Sequence, residues 1–201
     1  AQVQELFEDI EARYLSNEDP NIHFALLTDL PDTPAQPSPD ELHPLVQMAV
    51  RYTRELNEKY VHGKGGKFLL LHRHRVYNAR QGVWMGWERK RGKLLDLNKL
   101  LLRDFDSFPI KSGPLHILDN VRYVITLDSD TKLPRSTAAR MIGTIAHPLN
   151  RAIINPQHRI VTAGYGILQP RVGVSVSSAS RSHLARIYSG ETGFDVYTRA
   201  V

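Results

Sequence analysis

Apolar residues recur at two different spacings along the chain, and these spacings predict alternating helices and strands. Val3, Leu6, Ile10 and Tyr14 follow one another at intervals of three or four residues, which is the period of an amphipathic helix. Short continuous apolar runs are instead typical of buried strands. The pattern predicts helices over residues 2–15, 45–60, 93–103 and 134–147, and strands over residues 23–27, 67–73 and 121–127.

The segments between these elements are less regular. Several prolines fall within residues 31–44, which we expect to form a loop. The second helix begins either at the capping-box pattern of residues 38–41 or at Pro44. Residues 62–66 form a glycine turn, and residues 74–88 show no clear period. The remaining expectations are short strands at 153–154 and 160–162, an extended stretch at 166–176 and a helix at 180–188.

The order of elements predicts the fold class. Strands that alternate with helices favour an α/β fold, with a mostly parallel sheet and helices on both of its faces. A chain of 201 residues is long enough for a single domain with its own core. The chain opens with Ala1 rather than methionine, so we interpret residues 1–201 as a fragment of a larger protein.

Composition narrows the class of protein. Hydrophobic residues make up 41% and charged residues 23% of the chain, which favours a globular fold over disorder. The absence of cysteine excludes a disulfide framework, a zinc–cysteine site and a thiol nucleophile. Apolar runs of about four residues are far shorter than the ~20 that a membrane span needs. The net charge of +5 is ordinary for solubility, and no recognition motif for nucleic acid accompanies it.

Aspartates follow two of the predicted strands, and they carry the main functional hypothesis. Asp29 and Asp32 follow the first strand, and Asp128 and Asp130 follow the third. Ligands of open α/β sheets bind at the carboxyl ends of the strands. Residues two apart on an extended chain point to the same side, so Asp128 and Asp130 would face one ligand if the extended geometry continues through Asp130. Paired carboxylates suit Mg²⁺ or Mn²⁺ held together with substrate phosphates, whereas the alternative is a solvated turn.

Two other phosphate motifs fit less well. A haloacid dehalogenase-type phosphatase needs Thr or Val two residues after its second aspartate, where this chain has Lys132. A P-loop ending at Gly66-Lys67 would need glycine at position 61, which is Val61. The basic run of residues 89–93 precedes a helix and includes Gly92, so it is either a solvated loop or the wall of a nucleotide pocket.

Several runs together resemble a known family. Thr28-Asp29, Gly92-Lys93 followed by Leu97-Asn98, and Leu127-Asp128-Ser129-Asp130-Thr131 occur in the order found in processive family 2-like glycosyltransferases with the GT-A fold. Longer stretches are similar to the glycosyltransferase region of bacterial cyclic β-1,2-glucan synthases. These stretches are residues 21–29, 82–95, 121–137, 164–171 and 188–195.

The resemblance implies glucose transfer from UDP-glucose, with inversion, onto a growing β-1,2-glucan acceptor. It places Asp29 on the uracil side of the donor, and Gly92, Lys93 and Asn98 along the nucleotide pocket. It also places Asp128 at the nucleotide or its ribose, and Asp130 on the divalent metal at the diphosphate, where Asp128 also serves as a metal ligand. The resemblance further implies a truncated GT-A-like fold, in a membrane protein whose domain faces the cytoplasm of the bacterial inner membrane.

The chain also departs from the family pattern. The family's acceptor-side acidic motif and its glutamine-arginine-tryptophan motif do not occur before Val201, and no strand is predicted before the first helix. We therefore expect the donor-binding half of the domain, with no catalytic base among its residues and no turnover by itself. A metal-dependent phosphohydrolase and a non-catalytic nucleotide- or carbohydrate-binding module remain the alternatives.

Overall fold

The computed structural model describes residues 2–60 and 66–170 and gives a mixed α/β chain. Four α-helices form at the positions where the helical period predicted them. They are α1 (Gln2–Ser16), α2 (Pro44–Lys59), α3 (Arg89–Leu101) and α4 (Thr137–Ala146). The strands are β1 (Phe24–Thr28), β2 (Phe68–His72), β3 (Val76–Asn78), β4 (Val83–Met85), β5 (Ile110–Ser112), β6 (Ile153–Asn155) and β7 (Ile160–Ala163).

The three-stranded sheet has the order β1-β2-β5. Strands β1 and β2 pair in parallel, with Phe24 opposite Phe68, whereas β2 and β5 pair antiparallel. β3–β4 and β6–β7 are separate antiparallel pairs. The prediction of a mostly parallel sheet therefore holds for β1 and β2 only, because the short strand β5, for which the sequence predicted no strand, pairs antiparallel with the second edge of β2.

Helices cover both faces of this sheet, as predicted. Leu70 packs with residues of α1 and α2, including Tyr14 and Leu56. The next residue of β2, Leu71, packs on the opposite face against Leu97 of α3 and Phe108. Successive strand residues point to opposite faces, and both leucines are completely buried. The continuous apolar run of β2 thus results from helices on each side of the sheet.

The N-cap residue His43 shows where α2 begins. Pro44 occupies the first turn, and the His43 imidazole accepts a hydrogen bond from the Leu45 backbone N–H. Proline is favoured there because its missing N–H has no partner inside the helix. The capping-box pattern at residues 38–41 forms instead a short 3₁₀ turn, Asp40–Leu42. Of the two predicted starts, Pro44 is confirmed.

Residues 121–127 differ most from the sequence prediction. They lie outside every strand, and Val121, Tyr123 and Val124 are each more than 40% exposed. The apolar run favours an extended backbone, but a strand also needs a neighbouring strand to pair with. In the structure, residues 121–127 pair with neither of the two edge strands of the sheet, β1 and β5. The prediction of a buried strand here is wrong.

The chain divides into two compact units, Ala1–Ala139 and Arg140–Val201. The first contains the three-stranded sheet and both parts of the core, and the second contains the β6–β7 hairpin. No helix within residues 2–60 and 66–170 is long and apolar enough to cross a membrane. The predicted helix at 180–188, most of the glycine turn at 62–66 and part of the stretch at 166–176 lie outside the described residues.

Candidate functional site

The candidate site forms where β1 and β2 end and α3 begins. Asp29 follows β1, Arg73 follows β2, and Lys93 lies in the first turns of α3. Arg73 Nη2 donates to Asp29 Oδ2 at 3.0 Å, and Lys93 Nζ donates to Asp29 Oδ1 at 3.0 Å. The side chains of Asp29 and Arg73 are only 7% and 3% exposed. Each oxygen of the buried Asp29 carboxylate is therefore paired with a cation.

Arg73 extends this network to α3. Its Nη1 donates to Asp96 Oδ2 at 3.1 Å, so one guanidinium joins carboxylates from β1 and α3. Its Nε is buried and has no hydrogen-bond partner among the described residues. Arg73 follows β2, and its partners Asp29 and Asp96 belong to the end of β1 and to α3, so the ion pairs hold the carboxyl ends of both parallel strands against the helix. Loss of any one partner would leave a buried charge unpaired, which is costly.

Two glycines allow the close packing around this ion pair. A Cβ added at Gly92 would lie 1.9 Å from the Trp87 carbonyl oxygen and 2.7 Å from Arg73 Nη1. A Cβ at Gly86 would lie 2.4 Å from Asp29 Oδ2. Such distances are shorter than any van der Waals contact. Gly92 was predicted to line a nucleotide pocket. The structure supplies a separate reason for glycine there, because the Trp87 carbonyl oxygen leaves no room for a Cβ.

Two other basic residues at the start of α3, Arg89 and Lys90, pair with exposed aspartates. Arg89 Nη2 donates to Asp32 Oδ2 at 3.1 Å, and Lys90 Nζ forms an ion pair with Asp128 Oδ1. Arg89 has a positive φ of 44°, a left-handed conformation that is uncommon outside glycine. The basic run and the aspartates that the sequence singled out therefore lie together, with Asp29, Gly92, Lys93 and Asp128 in one region.

The remaining predicted residues are placed less centrally. Asn98 is exposed on the second half of α3, and Asp130 is exposed in the turn that follows residues 121–127. The Thr131 N–H donates to the Asp128 carbonyl at 3.1 Å, so residues 128–131 form a turn. The expected extended geometry, with both carboxylates on the same side of a strand, is therefore wrong. That Asp128 and Asp130 share a metal stays a prediction.

The carboxylate oxygens at this turn suit a divalent cation that is bound together with a phosphate-containing molecule. Carboxylate oxygens are the ligands that Mg²⁺ and Mn²⁺ prefer, and Asp128 and Asp130 supply two of them. Within the described residues, no group of three or more His, Asp or Glu side chains is arranged to hold a metal ion. Mg²⁺ is commonly held by one or two carboxylates together with substrate phosphates, so the chemistry of these two residues fits a metal whose coordination a diphosphate would complete.

Comparison with known proteins agrees with the sequence resemblance. No protein-family model matches the chain. Over 200 residues, 99% of its length, the chain is 41% identical to the cyclic β-(1,2)-glucan synthase NdvB of Rhizobium meliloti (strain 1021). The resemblance to a cyclic β-1,2-glucan synthase is confirmed. The chain spans about 7% of the length of this synthase, so the similarity concerns one segment of that protein.

A second buried polar network adjoins the site at the end of β2. His72, which is 2% exposed, lies between Thr28 Oγ1 at 2.8 Å from Nδ1 and Asp40 Oδ2 at 3.4 Å from Nε2. Arg75 Nη2 donates to the other Asp40 oxygen at 2.8 Å. Because a carboxylate only accepts, Nε2 carries the proton and Nδ1 accepts from the Thr28 hydroxyl. This arrangement suits a neutral imidazole.

Acid should weaken the fold through His72. Burial lowers the pKa of His72 below its ordinary 6.5, and the Asp40 carboxylate only partly offsets this effect. The unfolded chain therefore binds a proton at His72 more readily than the folded chain does. The contribution of neutral His72 to the free energy of unfolding is fully present above pH 6.5. It is lost as pH falls below 6.5, by up to about 1.4 kcal/mol per pH unit. We expect urea unfolding between pH 7.5 and 5 to show this loss.

The matched variant is His72→Gln, which keeps a polar side chain without titrating. Burial also lowers the pKa of His23, and His23 is present in both proteins. The difference in the pH dependence of stability between wild type and variant therefore isolates the effect of His72. We expect a smaller pH dependence in the variant. Equal slopes in the two proteins would show that His72 does not cause the loss.

Several residues of the network were missed by the sequence analysis. Arg73, Asp96 and Gly86 bind or pack against Asp29 and its partners, yet none belongs to a short motif. Arg73 did carry a signal, because a charged residue directly after the apolar run of β2 must find a partner at the buried end of a strand. Asp96 carried none, since acidic residues are common on exposed helix faces.

Proposed function

We propose that this chain is the donor-binding part of a glucosyltransferase domain with a truncated GT-A-like fold. The proposed reaction is inverting transfer of glucose from UDP-glucose to a β-1,2-glucan acceptor. The observation that carries the proposal is the convergence of Asp29, Lys93 and Asp128 where the parallel strands end and α3 begins. Crevices at this position of a sheet are where α/β proteins bind nucleotides, and the 41% identity to a glucan synthase supports the same reaction.

The exposed ion pairs suggest how a diphosphate would be received. Lys90 and Asp128 are 56% and 59% exposed, and Arg89 is 60% exposed in its pair with Asp32. Pairs this exposed contribute only about 0–1 kcal/mol, so a diphosphate can attract Lys90 and Arg89 at little cost. The buried pairs of Asp29 would stay intact and hold Lys93 in place. The proposed site thus combines fixed and movable cations.

The acidic residues take the complementary roles. Asp128, released from Lys90, would accept hydrogen bonds from the ribose or share a cation with Asp130. A bound Mg²⁺ or Mn²⁺ would neutralise negative charge on the departing diphosphate. Asp29 would face the uracil side of the donor, and Asn98 would line the pocket further along α3. The base that deprotonates the acceptor hydroxyl is proposed to lie outside this chain.

The wider setting is also part of the proposal. We infer that the chain works within a larger membrane protein, on the cytoplasmic face of a bacterial inner membrane, where UDP-glucose and the growing glucan meet. By itself the chain should bind the donor nucleotide without transferring glucose.

Calorimetry with UDP tests the proposed function directly. We expect the full 201-residue chain to bind UDP in the presence of Mn²⁺ or Mg²⁺ and to lose this binding when EDTA is added. Asp130→Ala should weaken metal-dependent binding by about tenfold or more, as loss of a metal ligand or its close support does. The control is Asp119→Ala, which removes an exposed aspartate that pairs with Arg103.

The alternatives predict different results. A phosphohydrolase would cleave an aryl phosphate with the same metals, and a carbohydrate-binding module would bind β-1,2-glucan without UDP or metal. UDP affinity that is equal in wild type and Asp130→Ala would contradict the assigned role of Asp130. Absence of UDP binding by the wild-type chain with either metal would contradict the proposed function itself.

A further inference from the structure

Arg13 of α1 holds the turn that carries the two aspartates. Its Nη2 donates to the carbonyl oxygens of Ser129 at 2.6 Å and Thr131 at 3.0 Å, and lies 3.4 Å from that of Asp128. The contact joins residues more than a hundred positions apart in the chain. Three carbonyl groups of one turn thus converge on a single nitrogen of a half-buried arginine.

Asn17, one helical turn after Arg13, holds the segment that follows this turn. Its Nδ2 lies 3.4 Å from the Leu133 carbonyl oxygen, and its Oδ1 accepts from the Ala138 N–H at 3.0 Å. The Ser136 N–H also donates to the Ser16 carbonyl at 3.0 Å. The end of α1 therefore fixes residues 128–138 at both ends, and the buried Asn17 is 4% exposed.

These contacts matter because the preceding segment does not anchor the turn. Residues 121–127 are outside every strand in the described part of the chain, with side chains that are exposed or half-buried. A turn next to such a segment needs another support if its side chains are to keep a fixed direction. The guanidinium supplies that support, because charge-assisted hydrogen bonds are stronger than neutral ones. Fixing the backbone at residues 128–131 also fixes the Cα–Cβ directions of Asp128 and Asp130.

We propose that Arg13 is a positioning residue, which orients the carboxylates of Asp128 and Asp130 toward a cation bound with a nucleoside diphosphate. The inference rests on the proposed function for the cation and its ligand. The hydrogen bonds of Arg13 themselves do not depend on that function. Since Arg13 Nη2 is already occupied by turn carbonyls, its role is to shape the turn and not to bind phosphate.

Hydrogen exchange of the chain without ligand tests whether Arg13 orders the turn. In Arg13→Ala, amides of residues 129–138 should exchange at least about tenfold faster, because the hydrogen bonds that close the turn onto α1 are lost. Amides of β2 should be unchanged. The control is Arg51→Ala, which removes an arginine of α2 whose pair with Glu55 is exposed. Unchanged exchange at residues 129–138 would overturn the proposal.

UDP binding in the presence of Mn²⁺ tests whether this order serves the site. Arg13→Ala should lower the affinity by about 10- to 100-fold, the usual effect of losing a residue that orients metal ligands. Arg13→Lys keeps a positive charge and three donors, so it should recover part of this affinity, and Arg51→Ala should bind like wild type. If Arg13→Ala binds UDP as tightly as wild type, the positioning role fails and the proposed function stands. If wild type binds no UDP, the proposed function fails and the positioning role fails with it.

Discussion

Arg73→Met should destabilise the chain by about 3–5 kcal/mol, the usual effect of removing one partner from a buried ion pair. Methionine matches the length of the arginine stem, so the substitution removes charge and hydrogen bonds more than volume. Asp96 would lose its Arg73 partner, and Asp29 would keep only Lys93. Both carboxylates are largely buried, at 13% and 7% exposure, and an unpaired buried carboxylate is unfavourable.

Urea unfolding at pH 7.5 measures this effect. The control is Arg51→Met, whose surface pair with Glu55 is more than half exposed on both sides and should change stability by no more than about 1 kcal/mol. Arg73→Met combined with Asp96→Asn should recover part of the loss, since the charge left without a partner is then removed. Equal stabilities of Arg73→Met and Arg51→Met would mean that the Asp29–Arg73–Asp96 network does not hold the sheet to α3.

The sequence predicted the parts of the fold that depend on local pattern. The apolar periods located α1, α2, β1 and β2, because a helix face or a two-sided strand must bury its side chains wherever it packs. Strand β5 was missed because Ile110–Ser112 is only three residues long and exists through its pairing with β2. The strand predicted at residues 121–127 was wrong for the opposite reason, since their pattern suits a strand but no strand edge in the described part of the chain pairs with them.

The sequence indicated which residues would form the candidate site, but not which ion pairs they would make. Aspartates after strands and a basic run before a helix indicated where Asp29, Lys93 and Asp128 would meet. Which cation pairs with which carboxylate depends on how α3 packs, and short motifs do not contain that information. The role of Arg13 could not be predicted for a similar reason, because the sequence of an amphipathic helix does not indicate that one of its arginines donates to carbonyl oxygens far along the chain.

Gly92→Ala should destabilise the chain although the residue lies within a helix. Alanine in place of glycine in a helix interior normally stabilises by about 1 kcal/mol. At Gly92 the new methyl group would lie 1.9 Å from the Trp87 carbonyl oxygen, a backbone atom that cannot rotate away, and 2.7 Å from Arg73 Nη1. Forcing extra volume into such packing costs about 1–3 kcal/mol, so the start of α3 must shift and weaken the Arg73 network.

Gly143→Ala is the matched control for this substitution. Gly143 is also inside a helix, α4, but nothing lies within 4 Å of an added Cβ. It should therefore show the ordinary stabilisation of about 1 kcal/mol, and urea unfolding of the two variants should give changes of opposite sign. Stabilisation by both alanines would contradict close packing at Gly92. The opposite signs would show that this glycine is required by the fold itself, whatever part it takes in receiving a phosphate.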